Sequence, residues 1–208
     1  MAALGAVHSV GESIVRHLSD AHQLQMKAES LLPAADRMLK ACSFRQVSGG
    51  QLSGAFAPAG NEVTLYLHRI GIDPLLRTAP DSRTPQNSRS RPLSLELHYL
   101  LTVWSSSADA EQTMLTWAMR ELHQKPSFGR SRLKPATQWL ADEAVQVSPS
   151  ELKHEDMMRI WDAMKQSYRL SVSYVARVVR LESLAEPASG PVISVTQAFS
   201  PEGSLANV

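Results

Sequence analysis

Apolar residues recur along this chain with two periods, and the switches between them mark its elements. Val7, Val10, Ile14 and Leu18 stand three or four apart, the spacing of one helix face, and Ala21, Gln25 and Ala28 extend the stripe. Ser9-x-x-Glu12 has the form of a capping box and predicts the helix start. Pro33 then interrupts, at a place where proline is tolerated in the first turn of a second helix over 34–42. Gly49, Gly50, Gly54 and Gly60 make 46–60 a loop with room for one short strand. From residue 62 the period becomes two. Val63, Leu65 and Leu67 fall on one face and Thr64, Tyr66 and His68 on the other, which predicts a half-buried strand. Residues 93–104 repeat the alternation, with Leu93, Leu95, Leu97, Tyr99, Leu101 and Val103 together. One long loop joins these strands, so an antiparallel pair is expected.

The remaining elements follow in the same way. Ser106-x-x-Asp109 opens a helix striped by Leu115, Ala118, Met119 and Leu122, which Lys125 and Pro126 end. Residues 127–143 read as irregular or as a short helix around Trp139, and 143–148 as a short strand. Ser148-Pro149-x-Glu151 signals another helix start, followed by Met157, Ile160, Trp161 and Met164 on one face. A long strand then sets Leu170, Val172, Tyr174, Ala176 and Val178 against Ser171, Ser173, Val175, Arg177 and Val179. One further strand candidate, 191–199, lies between Gly190 and Pro201. The expected class is α+β: an antiparallel or mixed sheet of four to five strands with helices packed on one face. One domain is expected over 1–184, followed by a tail over 185–208.

Composition narrows the function classes. The chain has 208 residues, 43% of them hydrophobic, enough for a core. Lys and Arg number 21 against 20 Asp and Glu, a net charge of +1, so nothing global favours nucleic acid or an anionic membrane. The single cysteine, Cys42, excludes an internal disulfide framework and reads as a buried small hydrophobe. No run of 18 apolar residues predicts a membrane span, and the opening residues meet Glu12 too early for a secretion signal.

Candidate chemistry is sparse. His17 and His22 are five apart and diverge by about 140° on a helix, so they share no ion. No Cys-x-x-Cys, His-Glu-x-x-His, Gly-x-Ser-x-Gly or phosphate-loop pattern is present, and no metal or cofactor is expected. Glu96 and His98 share a strand face and could meet His68 across the pair. A polar sheet face with cross-strand partners is the simpler reading of this trio, with an acid/base or metal role as its rival. The main electrostatic feature is the loop carrying Arg77, Arg83, Arg89 and Arg91 against the single acid Asp81. It could grip an acidic protein surface, but it lacks the aromatics that a nucleic-acid groove interleaves. Trp104, Trp117, Trp139 and Trp161 fall where core or interface anchors are expected.

Four stretches go beyond pattern. They are "VTLYLHRIGIDPLLR" with its proline- and arginine-rich continuation, "RPLSLELHYLLTVW", "DAEQTMLTWAMRELHQKP" and "SELKHEDMMRIWDAMKQSYRLSVSYVARVV". In this order, over residues 7–184, they resemble the tail-tube terminator, or cap, proteins of contractile injection systems of the antifeeding-prophage and virulence-cassette type. The resemblance implies a non-enzymatic structural protein: a homohexameric ring on the last disc of the inner tube that ends tube growth and anchors the last sheath ring. Its partners would be its own copies, the inner-tube protein and the sheath protein, without nucleic acid or membrane insertion. It would assemble in the cytoplasm and then belong to a phage tail-like particle. Arg77, Arg83, Arg89 and Arg91, with Val192, Ile193 and Val195 of the tail, are the expected protein-contact residues. The competing reading is a small binding module that uses loop 77–91 to hold acidic partners or nucleic acid.

Overall fold

A computed structural model describes residues 4–54, 56–73, 93–136, 139–140 and 143–181. The elements run α1 (Ala6–Glu29), a 3-10 turn (Ala34–Asp36), β1 (Ser43–Val47), α2 (Gly49–Leu52), β2 (Glu62–Ile72), β3 (Leu93–Trp104), α3 (Ala108–Gln124), β4 (Ser127–Gly129), β5 (Ala144–Pro149), α4 (His154–Ala163) and β6 (Ser171–Leu181). The strands form one mixed sheet in the order β1-β2-β3-β6-β5-β4. Only β1–β2 is parallel; the other neighbours are antiparallel. Among the described residues the sheet has six strands, where four to five were expected. Short β1 and β4 at its two edges are the additions, each too brief to show a period.

The alternation in β2 and β3 is the architecture. Val63 and Leu65 of β2, Leu97, Tyr99, Leu101 and Val103 of β3, and Tyr174 and Ala176 of β6 lie on one face. They are buried with Val10, Ile14 and Leu18 of α1 and Met114, Leu115, Ala118 and Leu122 of α3. Gly11 leaves room between α1 and β1 for the Gln46 side-chain amide, which a Cβ at that position would meet. The opposite face carries a second, smaller core of Val47, Leu52, Leu100, Trp104, Trp161 and Met164. Helices therefore cover both faces, not one as expected. The reason lies in β3, where Leu100 and Trp104 interrupt the polar side of the alternation and α4 packs its apolar stripe against them.

Four sequence signals resolved differently. Helix α1 begins at Ala6, and Ser9 is a buried residue of its second turn. Residues 34–42 keep only the 3-10 turn. The Glu29 carboxylate accepts the Met38 and Leu39 amides at 3.0 and 2.9 Å, and His22 Nε2 donates to the Lys40 carbonyl at 3.0 Å, so α1 side chains take backbone groups that a helix needs. Residues 148–151 do not start α4. Pro149 pairs with Tyr174 as the end of β5, the Ser150 amide continues onto the Ser173 carbonyl, and the helix waits until His154. Helix α3 is capped one residue later than predicted: Ser107 Oγ accepts the Ala110 amide.

Candidate functional site

β2 carries one extra residue between Leu67 and Arg69, which pair with Tyr99 and His98 of β3. β6 carries another between Ala176 and Val179, which pair with Leu97 and Leu95. These bulges flank the stretch of β3 that holds Glu96 and His98, and they re-aim the side chains around it. The second one also puts Val179 in the inward place opposite Leu95, where plain alternation points to Val178.

The structure does bring His68, Glu96 and His98 together. The two imidazole centroids are 6.2 Å apart, tilted by 58°. Glu96 Oε2 lies 3.7 Å from His98 Nε2, while Glu96 Oε1 accepts a 2.9 Å hydrogen bond from Arg177 Nε across the bulge. The histidines and Arg69 line a groove with Ser150, Glu151 and Asp156. Burial, then the nearby His98 and Arg69, lowers His68 to about 4. Burial also lowers His98, with Arg69 acting in the same direction and Glu96 against it. His68 Nε2 is buried with no hydrogen-bond partner. The carboxylate thus closes a cross-strand ion pair, and no group of three metal-ligating side chains forms among the described residues. The arrangement is a polar seam joining β2, β3 and β6 at the mouth of the second core.

Other candidates settle as packing. All four tryptophans are buried. Cys42 is half-buried, and burial pushes its thiol up to about 12, far from the thiolate a nucleophile needs. The expected contact residues Arg77, Arg83, Arg89, Arg91, Val192, Ile193 and Val195 lie outside the described residues. What sequence reasoning missed is the far end of β2. Ile70 and Ile72 pair with buried Leu97 and Leu95 yet are themselves 52% and 58% exposed. The break in alternation through "HRIGI" was the available signal.

The histidines carry one pH prediction. Burial is the leading cause that lowers His17, His22, His68 and His98. The unfolded chain titrates near 6.5 and so takes up more protons than the folded one below that pH. Stability contributed by these neutral rings is full above pH 7 and falls as pH drops through 6.5 toward 4. Thermal scans from pH 7.5 to 4.5 are expected to show a falling Tm, with a shallower slope in His68→Leu. A flat Tm over that range contradicts the assignment.

Comparison with known proteins decides the family. The model of the Pvc16 N-terminal domain matches residues 12–195, most of the chain. The chain belongs to the Pvc16 N-terminal domain family. Two solved structures resemble this Pvc16-type domain. One is the PVC sheath/tube terminator of an extracellular contractile injection system in its extended state, at 19% identity and TM-score 0.46, covering 88% of this chain and 64% of that one. The other is the tube-terminating cap of the anti-feeding prophage, at 18% identity and TM-score 0.45, covering 72% of this chain and 55% of that one. The domain described here thus spans less than two thirds of either protein. No curated protein matches the chain. Among the described residues of the domain, no helix is long and apolar enough to cross a membrane.

Proposed function

We propose that this Pvc16-type domain works as a structural terminator of a contractile injection system. Copies form a ring, in the expected case a homohexamer, on the end of the inner tube, stop its growth and anchor the last sheath ring. The observation that supports this is the family match over residues 12–195. It covers all four stretches that resemble tube terminators. The physics of such a role is shape. A ring needs a head-to-tail contact repeated by rotation, and growth ends when its outer face offers nothing for another tube disc to dock on. In this reading the protein performs no chemistry, and the seam of His68, Glu96, His98 and Arg177 serves to lock strands. The ring assembles in the cytoplasm and becomes part of a phage tail-like particle.

Deleting the gene tests the proposal: sheathed particles of uncontrolled length are expected, and particles of unchanged length contradict it. Loop 77–91 supplies a finer test. With Arg77, Arg83, Arg89 and Arg91 all changed to serine, Tm is expected to stay within a few degrees while assembly weakens, because a proline- and arginine-rich stretch has little apolar surface to bury. A large fall in Tm with assembly intact would reverse that assignment.

A further inference from the structure

The sheet is incomplete along one edge. Strand β1 pairs with Glu62, Val63, Thr64, Leu65 and Tyr66 of β2. Beyond Tyr66 no described strand lies on that side, although β2 runs on to Ile72. This stretch, 67–72, shows Ile70 and Ile72 on the face whose neighbours Leu97 and Leu95 are buried, and Leu93 beside them is 44% exposed. A half-exposed apolar row on an open edge is an unpaired template for another strand.

We propose that residues 191–199 of the same chain occupy this edge as a strand antiparallel to β2, in line with the end of β1. This stands on the edge and the tail alone and is independent of the terminator reading. Both β2 and β6 are antiparallel to β3, so they run the same way and end at the same end of the sheet. β6 leaves the sheet at Leu181, opposite Leu93, one strand from β2. The open position lies three strand spacings from β6, about 14 Å. The intervening residues 182–190 can span up to ~30 Å, which suffices. The spatial order is then tail, β2, β3, β6. The tail has the chemistry for the place. Ile193 and Val195 alternate onto one face, where they would sit beside Ile72 and Ile70 as cross-strand neighbours. A short tether also holds the tail near its own edge at an effective concentration in the millimolar range, which favours it over the tail of another copy.

Hydrogen exchange tests the seat in the full chain. Ile193→Asp with Val195→Asp is expected to speed amide exchange within 67–72 at least about tenfold and to leave 62–66, shielded by β1, unchanged. Unaltered exchange at 67–72 overturns the proposal. A second measurement does not depend on the folding of that variant. In a Cys42→Ser background, Ile70→Cys is combined in turn with Ile193→Cys, Ser194→Cys and Val195→Cys. Oxidation is expected to give an intrachain disulfide for at least one pair, with a yield independent of protein concentration. Linked dimers that increase with concentration would assign the edge to a neighbour's tail and overturn the proposal, as would no linkage for all three pairs.

Discussion

Trp161→Ala is expected to destabilise the domain by about 3–5 kcal/mol, the range for deleting a buried tryptophan. In Tm this is a drop of roughly 6–20 °C for a chain of this size. Trp161 is 1% exposed and stands 5.8 Å from the Trp104 ring, in a core of six buried residues. That core has little redundancy, because α4 rests on it and contributes only Trp161 as a fully buried residue. Trp161→Phe separates volume from polarity. The indole N–H is buried without a partner, so phenylalanine removes an unsatisfied donor along with part of the ring. A cost of about 1–2 kcal/mol is expected for it, well below that of alanine, because the cavity left is smaller and the unsatisfied donor goes with it. Equal losses for Ala and Phe, measured by denaturant titration, would mean that packing is not what Trp161 supplies.

The second large effect is expected at Ser9. Its hydroxyl donates to the Lys134 carbonyl at 2.5 Å and accepts from Trp139 Nε1 at 3.0 Å. One turn on, Ser13 Oγ accepts the Lys134 amide at 3.0 Å and donates to the Ser9 carbonyl at 2.7 Å. Two serines inside α1 thus hold the segment after β4, and both are buried. Ser9→Ala leaves the Trp139 N–H and the Lys134 carbonyl unpaired, a cost of about 2–4 kcal/mol at 1–3 per stranded group with partial relaxation. Ser9→Asp discriminates between two roles. A helix cap accepts aspartate as readily as serine. A buried pin does not, since the carboxylate would be desolvated beside a carbonyl. Severe loss is expected for Ser9→Asp, and near-native stability there would return Ser9 to a capping role.

Much of the fold was legible because long runs of its main strands obey period two. Val63, Leu65 and Leu67, and Leu95 through Val103, were placed on the correct face by alternation alone. What alternation cannot show is a residue added to one strand. The bulges at His68 and after Ala176 shift the pattern of β2 and β6, and neither is signalled by a glycine at the bulged position. The capping motifs failed for a related reason. Ser9-x-x-Glu12 and Ser148-Pro149-x-Glu151 have the right local form, but Ser9 is captured by Lys134 and Trp139 and Ser148 by pairing with Val175, partners distant in sequence. Residues 34–42 lost their helix to Glu29 and His22 in the same way. The seam of His68, Glu96 and His98 was legible as a cluster of neighbours. Its partner Arg177 was not, because it comes from a strand 81 residues away from Glu96.

The proposed terminator role requires that copies of this domain close into a ring that halts tube growth. Electron microscopy of the purified chain mixed with its inner-tube protein tests it most directly. A ring seated on one tube end is expected, with tubes that stop lengthening once it is bound. Tubes that keep growing beside a protein that stays monomeric contradict it.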